Sequence, residues 1–164
     1  MVIKNVIQNN IIMDIFNNVL KHKSVAGDSE KYADNFTPLE KLQEYFRIKS
    51  VEYENLGKED AIINDSLESR AERLKQIKSE AERVCYEVIL EYGKKINKRQ
   101  NDIKNYENLG YMTSKGNAEV DIANCQMEKE YVNNQYLKSL TDPDTDIYAA
   151  YKRGFENGIV AKNK

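Results

Sequence analysis

The sequence predicts an all-α fold: an elongated bundle of about five helices around one long central helix. Three observations predict it. Seven glycines and two prolines in 164 residues are too few turn formers for a many-stranded sandwich or barrel. Apolar residues recur at steps of three and four through most of the chain. Charged residues reach 32% beside a hydrophobic set of 40% with no Trp, a balance that suits two-faced helices.

The first element is a helix over 1–20, rich in Val, Ile and Asn. Its intrinsic propensity is poor, so tertiary packing must hold it. Residues 21–36, with Gly27, Asp28, Ser29 and Asn35, read as a loop. Thr37-Pro38-Leu39-Glu40 then has the form of a capping box with Pro in the first turn, opening a helix over 38–56. Leu39, Leu42, Phe46, Lys49, Tyr53 and Leu56 share one stripe of it, and Gly57 supplies a left-handed stop. Tyr-Glu-Asn-Leu-Gly stands at 53–57 and again at 106–110 in unrelated surroundings, which marks a reused helix ending rather than a tandem repeat.

Between those two endings a long helix is expected over 59–109. Ile63, Leu67, Arg70, Leu74, Ile77, Ala81, Cys85, Ile89, Tyr92, Ile96, Arg99, Ile103 and Tyr106 form its seam, with a stutter near Ala81 to Ile89. Gly93 is the place where it would bend. A fourth helix over 117–140 follows from Val120, Ala123, Met127, Tyr131, Asn134 and Leu137. A last helix over 143–160 is read with Asp142 as its cap and Ile147, Tyr151, Gly154 and Gly158 as one face. Short connections make neighbouring helices coiled-coil-like antiparallel hairpins within a single domain, 1–164.

Composition excludes several function classes. A net charge of −2 gives no global drive towards nucleic acid or anionic lipid. Cys85 and Cys125 lie forty positions apart inside helical patterns, the usage of reduced thiols in a cytoplasmic protein. Polar residues interrupt every apolar run near the amino terminus, so neither a membrane span nor a signal core is expected. His22, the only histidine, rules out every site that needs two imidazoles, and no metal or cofactor is expected. The Gly-Lys pairs at 57–58 and 93–94 lack the rest of a phosphate loop, and no nucleophile elbow is present. Asp142, Asp144 and Asp146 begin like a calcium loop, but Ile147 stands where Gly is needed; helix capping is the better account.

Two features point to binding rather than catalysis. Lys94, Lys95, Lys98, Arg99 and Lys104 make a basic patch suited to an acidic protein surface or to phosphates. Tyr148, Tyr151 and Phe155 are of the type that anchors interfaces, with packing between helices as their ordinary alternative. Lys49, Arg70 and Arg99 interrupt apolar seams without an assigned acidic mate, which raises a contact with another chain. The expectation is a non-enzymatic interaction protein that occupies the surface of another macromolecule, in the first place a protein. The alternatives are a nucleic-acid binder using residues 94–104 and a self-assembling coiled coil that forms homo-oligomers. The abundance of Asn (18 residues), Lys and Ile is the bias of AT-rich coding sequence and suggests an accessory factor of a phage or mobile element, including an inhibitor of a host system.

Overall fold

A computed structural model describes residues 36–63 and 66–164; the helix expected over 1–20, His22 and all but the last residue of the loop expected over 21–36 lie outside them. Every regular element among the described residues is helical. In order these are α1 (Pro38–Ile63), α2 (Leu67–Leu109), α3 (Met112–Tyr131) and α4 (Asp146–Lys162). A π-helical turn (Val132–Leu137) and a 3-10 turn (Lys138–Thr141) join α3 to α4. The chain separates into two compact units, Met1–Tyr45 and Phe46–Lys164.

In the first unit, α1 opens as the sequence predicts. The Thr37 hydroxyl accepts from the Glu40 amide at 3.2 Å and Glu40 Oε2 accepts from the Thr37 amide at 3.0 Å, a complete capping box.

The second unit corrects most helix boundaries. α1 does not stop at 56 but continues through Gly57 to Ile63, and α2 starts at Leu67 rather than 59. The start of α2 is set by Ser66, whose hydroxyl accepts from the Ser69 amide at 3.1 Å. α2 then runs unbroken through Gly93 for 43 residues, about 65 Å at 1.5 Å per residue. It ends at Gly110, where φ is +74° and the amides of Gly110 and Tyr111 bond back to the carbonyls of Glu107 and Tyr106. α3 begins at Met112, not 117, and its α-helical part ends at Tyr131. Asp142 is not the cap of α4. Its side chain accepts from the Asp144 amide at 2.9 Å and its carbonyl from the Thr145 amide, so Pro143 sits in a turn and the helix starts at Asp146.

Contacts fix the directions. Asp60 meets Arg73, and Lys49 meets Glu80, so α1 and α2 are antiparallel. Glu107 meets Lys115, Arg99 meets Asp121 and Tyr92 meets Glu128, which makes α2 and α3 antiparallel as well. α1 and α4 run parallel and approach closely. A Cβ placed on Gly154 would overlap the Glu54 carbonyl oxygen, one on Gly158 would come within 2.8 Å of the Lys58 carbonyl oxygen, and one on Gly57 would overlap the Tyr151 carbonyl. The core of the unit lies where these helices meet, with Ile77, Ala81, Cys85, Tyr92, Leu140, Ile147, Tyr151 and Phe155 buried. The α2 seam is therefore real in its middle but not at its start: Ile63 and Leu67 stand in solvent.

Candidate interaction surfaces

The three aromatic residues expected to anchor a partner are inside the fold. Tyr148, Tyr151 and Phe155 are 5%, 0% and 2% exposed, which corrects their assignment to a surface. The Tyr148 hydroxyl donates to the Leu140 carbonyl at 2.8 Å and the Tyr151 hydroxyl to Asp60 Oδ2 at 2.9 Å, so both polar ends are satisfied internally. Phe155 receives the Arg70 guanidinium over its ring at 5.3 Å. Burial pushes the Tyr148 phenol up to about 12.

The seam cations also find mates within the chain. Lys49 is bonded to Glu52 at 2.7 Å, reaches Glu80 on the facing helix at 3.6 Å and lies over the Tyr53 ring. Arg99 bonds Asp102 at 3.2 Å and Asp121 of α3 at 2.7 Å. The acids missing from the one-dimensional reading are on neighbouring helices, so these positions do not require a second chain.

The basic patch divides. Lys94, Lys95, Lys98 and Lys104 are exposed, whereas Arg99 is held in its two ion pairs. At about 100° per residue, Lys94 and Lys98 share one line on the side of α2 turned away from α3, while Lys104 and Lys95 fall to opposite sides of that line. The structure thus offers a lysine strip on α2 rather than a convergent cluster.

Sequence reasoning missed the more informative surface, on α3. Val120, Ala123, Met127 and Tyr131, from whose spacing the helix is predicted, face solvent: Val120 is 59%, Met127 70% and Tyr131 46% exposed. The face turned to α2 carries Ala118, Ile122, Cys125 and Val132, of which Ala118 and Val132 are buried. Polar pairs choose this face. Asp121 bonds Arg99, Glu128 accepts from the Tyr92 hydroxyl at 2.6 Å, and Lys115 bonds Glu107 at 2.9 Å, all on the α2 side. The π turn then changes the helical phase. Tyr136, displaced from the α3 stripe, packs at a tilt of 47° against Phe46 of α1 with ring centroids 5.1 Å apart, and its ring also meets Tyr131 edge-on at 6.1 Å. The turn between α2 and α3 adds Leu109, Tyr111 and Met112 to the exposed apolar surface.

Groups with reactive chemistry are muted. Cys85 is fully buried, and that burial, with Glu82 nearby, pushes its thiol up to about 12; partial burial also raises Cys125. Iodoacetamide at about pH 8 is therefore expected to label Cys125 slowly and Cys85 only after denaturation, read by peptide mass. Rapid native labelling of Cys85 would contradict the described core. An open cleft of about 560 Å³ beside the turn from α1 to α2 is lined by Asp60, Glu68, Glu72, Arg73 and Gln76, and Arg73 there is already bonded to Asp60 and Gln76. Among the described residues no group of three or more His, Cys, Asp or Glu is placed to hold a metal ion, and no helix is long and apolar enough to cross a membrane. Comparison with family models, with curated proteins and with solved structures finds no match.

Proposed function

We propose that this chain is a non-enzymatic protein-binding module that acts by occupying the surface of another protein. One observation carries the reading: α3 packs on α2 through its smaller apolar residues and leaves the bulkier stripe of Val120, Met127 and Tyr131 in water. Aligned exposed apolar side chains on a helix are a usual means of docking. The Asn- and Lys-rich composition supports a role as an accessory or inhibitory factor of a mobile element.

The test is side-by-side affinity capture with the full-length chain and a Val120→Ser, Met127→Ser, Tyr131→Ser variant, read by quantitative mass spectrometry. All three side chains are exposed, so circular dichroism should show both forms equally helical. A protein retained by the natural chain and lost by the variant is the expected result; identical captures would remove the reading.

Nucleic-acid binding is the second reading, favoured by the exposure of Lys94, Lys95, Lys98 and Lys104. It requires a gel shift that weakens steeply with salt and disappears on changing Lys94, Lys95 and Lys98 to Glu.

A further inference from the structure

We infer that the outer face of α3 docks a basic amphipathic helix of a partner protein, an inference that rests on the protein-binding reading above. Val120, Ala123, Met127 and Tyr131 are spaced i, i+3, i+7 and i+11, so they form a line along α3 about 16 Å long. Two or three turns of another helix match a narrow line of that kind; a broad globular surface does not.

The charges beside the line select the partner. One edge carries the exposed carboxylates of Glu119 and Glu130, and the other carries Asn117 and Asn124. Of the two lysines of α3, Lys115 is bonded closely to Glu107 at 2.9 Å and reaches Glu119 only at 3.9 Å, leaving that carboxylate exposed, and Lys129 is half-buried on the side of α2. A helix with Lys or Arg flanking its apolar stripe complements this edge. A second copy of the chain does not, because an antiparallel pair of α3 helices brings Glu119 towards Glu130 of the copy, and a parallel pair sets the Glu119 and Glu130 edge against the uncharged Asn117 and Asn124 edge of the copy.

The probes are two synthetic peptides of about three heptads, identical in their leucine stripe, one flanked by Lys and the other by Glu. Binding to the full-length chain is followed by fluorescence polarisation. The natural chain is expected to prefer the Lys peptide by about tenfold or more at low salt, with the preference shrinking as salt is added. Glu119→Lys with Glu130→Lys should reverse the preference. Glu68→Lys with Glu72→Lys, an equal change of charge on exposed sites of α2, should leave it intact. Val120→Ser with Met127→Ser should weaken both peptides while helicity is retained. Equal binding of the two peptides, or a preference that survives the Glu119 and Glu130 reversal, would overturn the inference. So would a mass that doubles with concentration in light scattering and reverts on that reversal, which would give the face to a second copy. If the charge reversal changes nothing while the serine variant still loses its captured partner, the basic-helix assignment fails and the protein-binding reading stands.

Discussion

Replacing Gly154 with alanine is expected to destabilise the protein by about 3 kcal/mol or more, although alanine is the better helix former. Gly154 lies in the interior of α4, where exchanging Gly for Ala at an open site adds about 0.5–1 kcal/mol of stability. Here the new methyl group would overlap the Glu54 carbonyl oxygen of α1 and crowd the Glu54 Cα at 2.9 Å. Those are backbone atoms of a neighbouring helix, not the end of a flexible side chain, so they cannot rotate away. The two helices must separate, loosening Tyr151 and Phe155, whose rings pack beside the contact. For a chain of this length the melting midpoint should fall by about 6–12 °C. Gly93→Ala provides the opposite case, since a Cβ at Gly93 meets nothing within 4 Å and α2 is unbroken there. It should stabilise the protein by about 0.5–1 kcal/mol. Calorimetry of the two variants side by side is decisive, and a midpoint for Gly154→Ala that equals or exceeds that of Gly93→Ala would show that α1 and α4 do not approach as described.

The same glycines show what was legible in the sequence and what was not. Tyr-Glu-Asn-Leu-Gly ends a helix at Gly110, where φ is +74°, but at Gly57 the helix continues, because that glycine is there to admit the backbone of Tyr151 and Phe155. Local sequence is identical in the two places, and only a residue almost a hundred positions away distinguishes them. Capping at Thr37 depends on neighbours three residues apart, and it was read correctly for that reason. The face of α4 was legible too, since Ile147, Tyr151, Gly154 and Gly158 are all buried. The face of α3 was not. It has two stripes of comparable apolarity, and the choice falls to Asp121, Glu128 and Lys115, whose partners Arg99, Tyr92 and Glu107 belong to another helix. Tyr148, Tyr151 and Phe155 failed as surface anchors for a related reason. Aromatic residues near a chain end look alike in one dimension whether they fill a core or cap an interface. On α2, the lysines at 94, 95, 98 and 104 stand in solvent, while one of the two acids that engage Arg99, Asp121, comes from α3.

Asp60 is the other position where one atom decides much. Its carboxylate takes a fork of two bonds from Arg73, Nε at 2.9 Å and Nη2 at 3.2 Å, and a third from the hydroxyl of the fully buried Tyr151 at 2.9 Å. This cluster ties α1, α2 and α4 together. Asp60→Ala removes all three bonds. Arg73 can turn to water, being 36% exposed, but the Tyr151 hydroxyl is left in the core without an acceptor. A loss of about 2–3 kcal/mol is expected, most of it from the stranded hydroxyl. Asp60→Asn keeps an oxygen for Tyr151 and should lose about 1 kcal/mol. Tyr151→Phe removes the donor, so added to Asp60→Ala it should restore part of the lost stability; simple additivity of the two changes would show that the hydroxyl is not stranded. Alkali offers an independent check. Burial, and then the bond to Asp60, hold the Tyr151 phenol above its ordinary value of 10.0, so the folded protein favours the neutral phenol. The stabilisation from this group is complete below about pH 10 and drains away as pH rises beyond it, because the unfolded chain ionises first. With Asp60→Ala the contribution of the carboxylate disappears and burial remains, opposed by Arg73 and Arg70, so the decline in urea midpoint above about pH 10 should become shallower than in the natural chain.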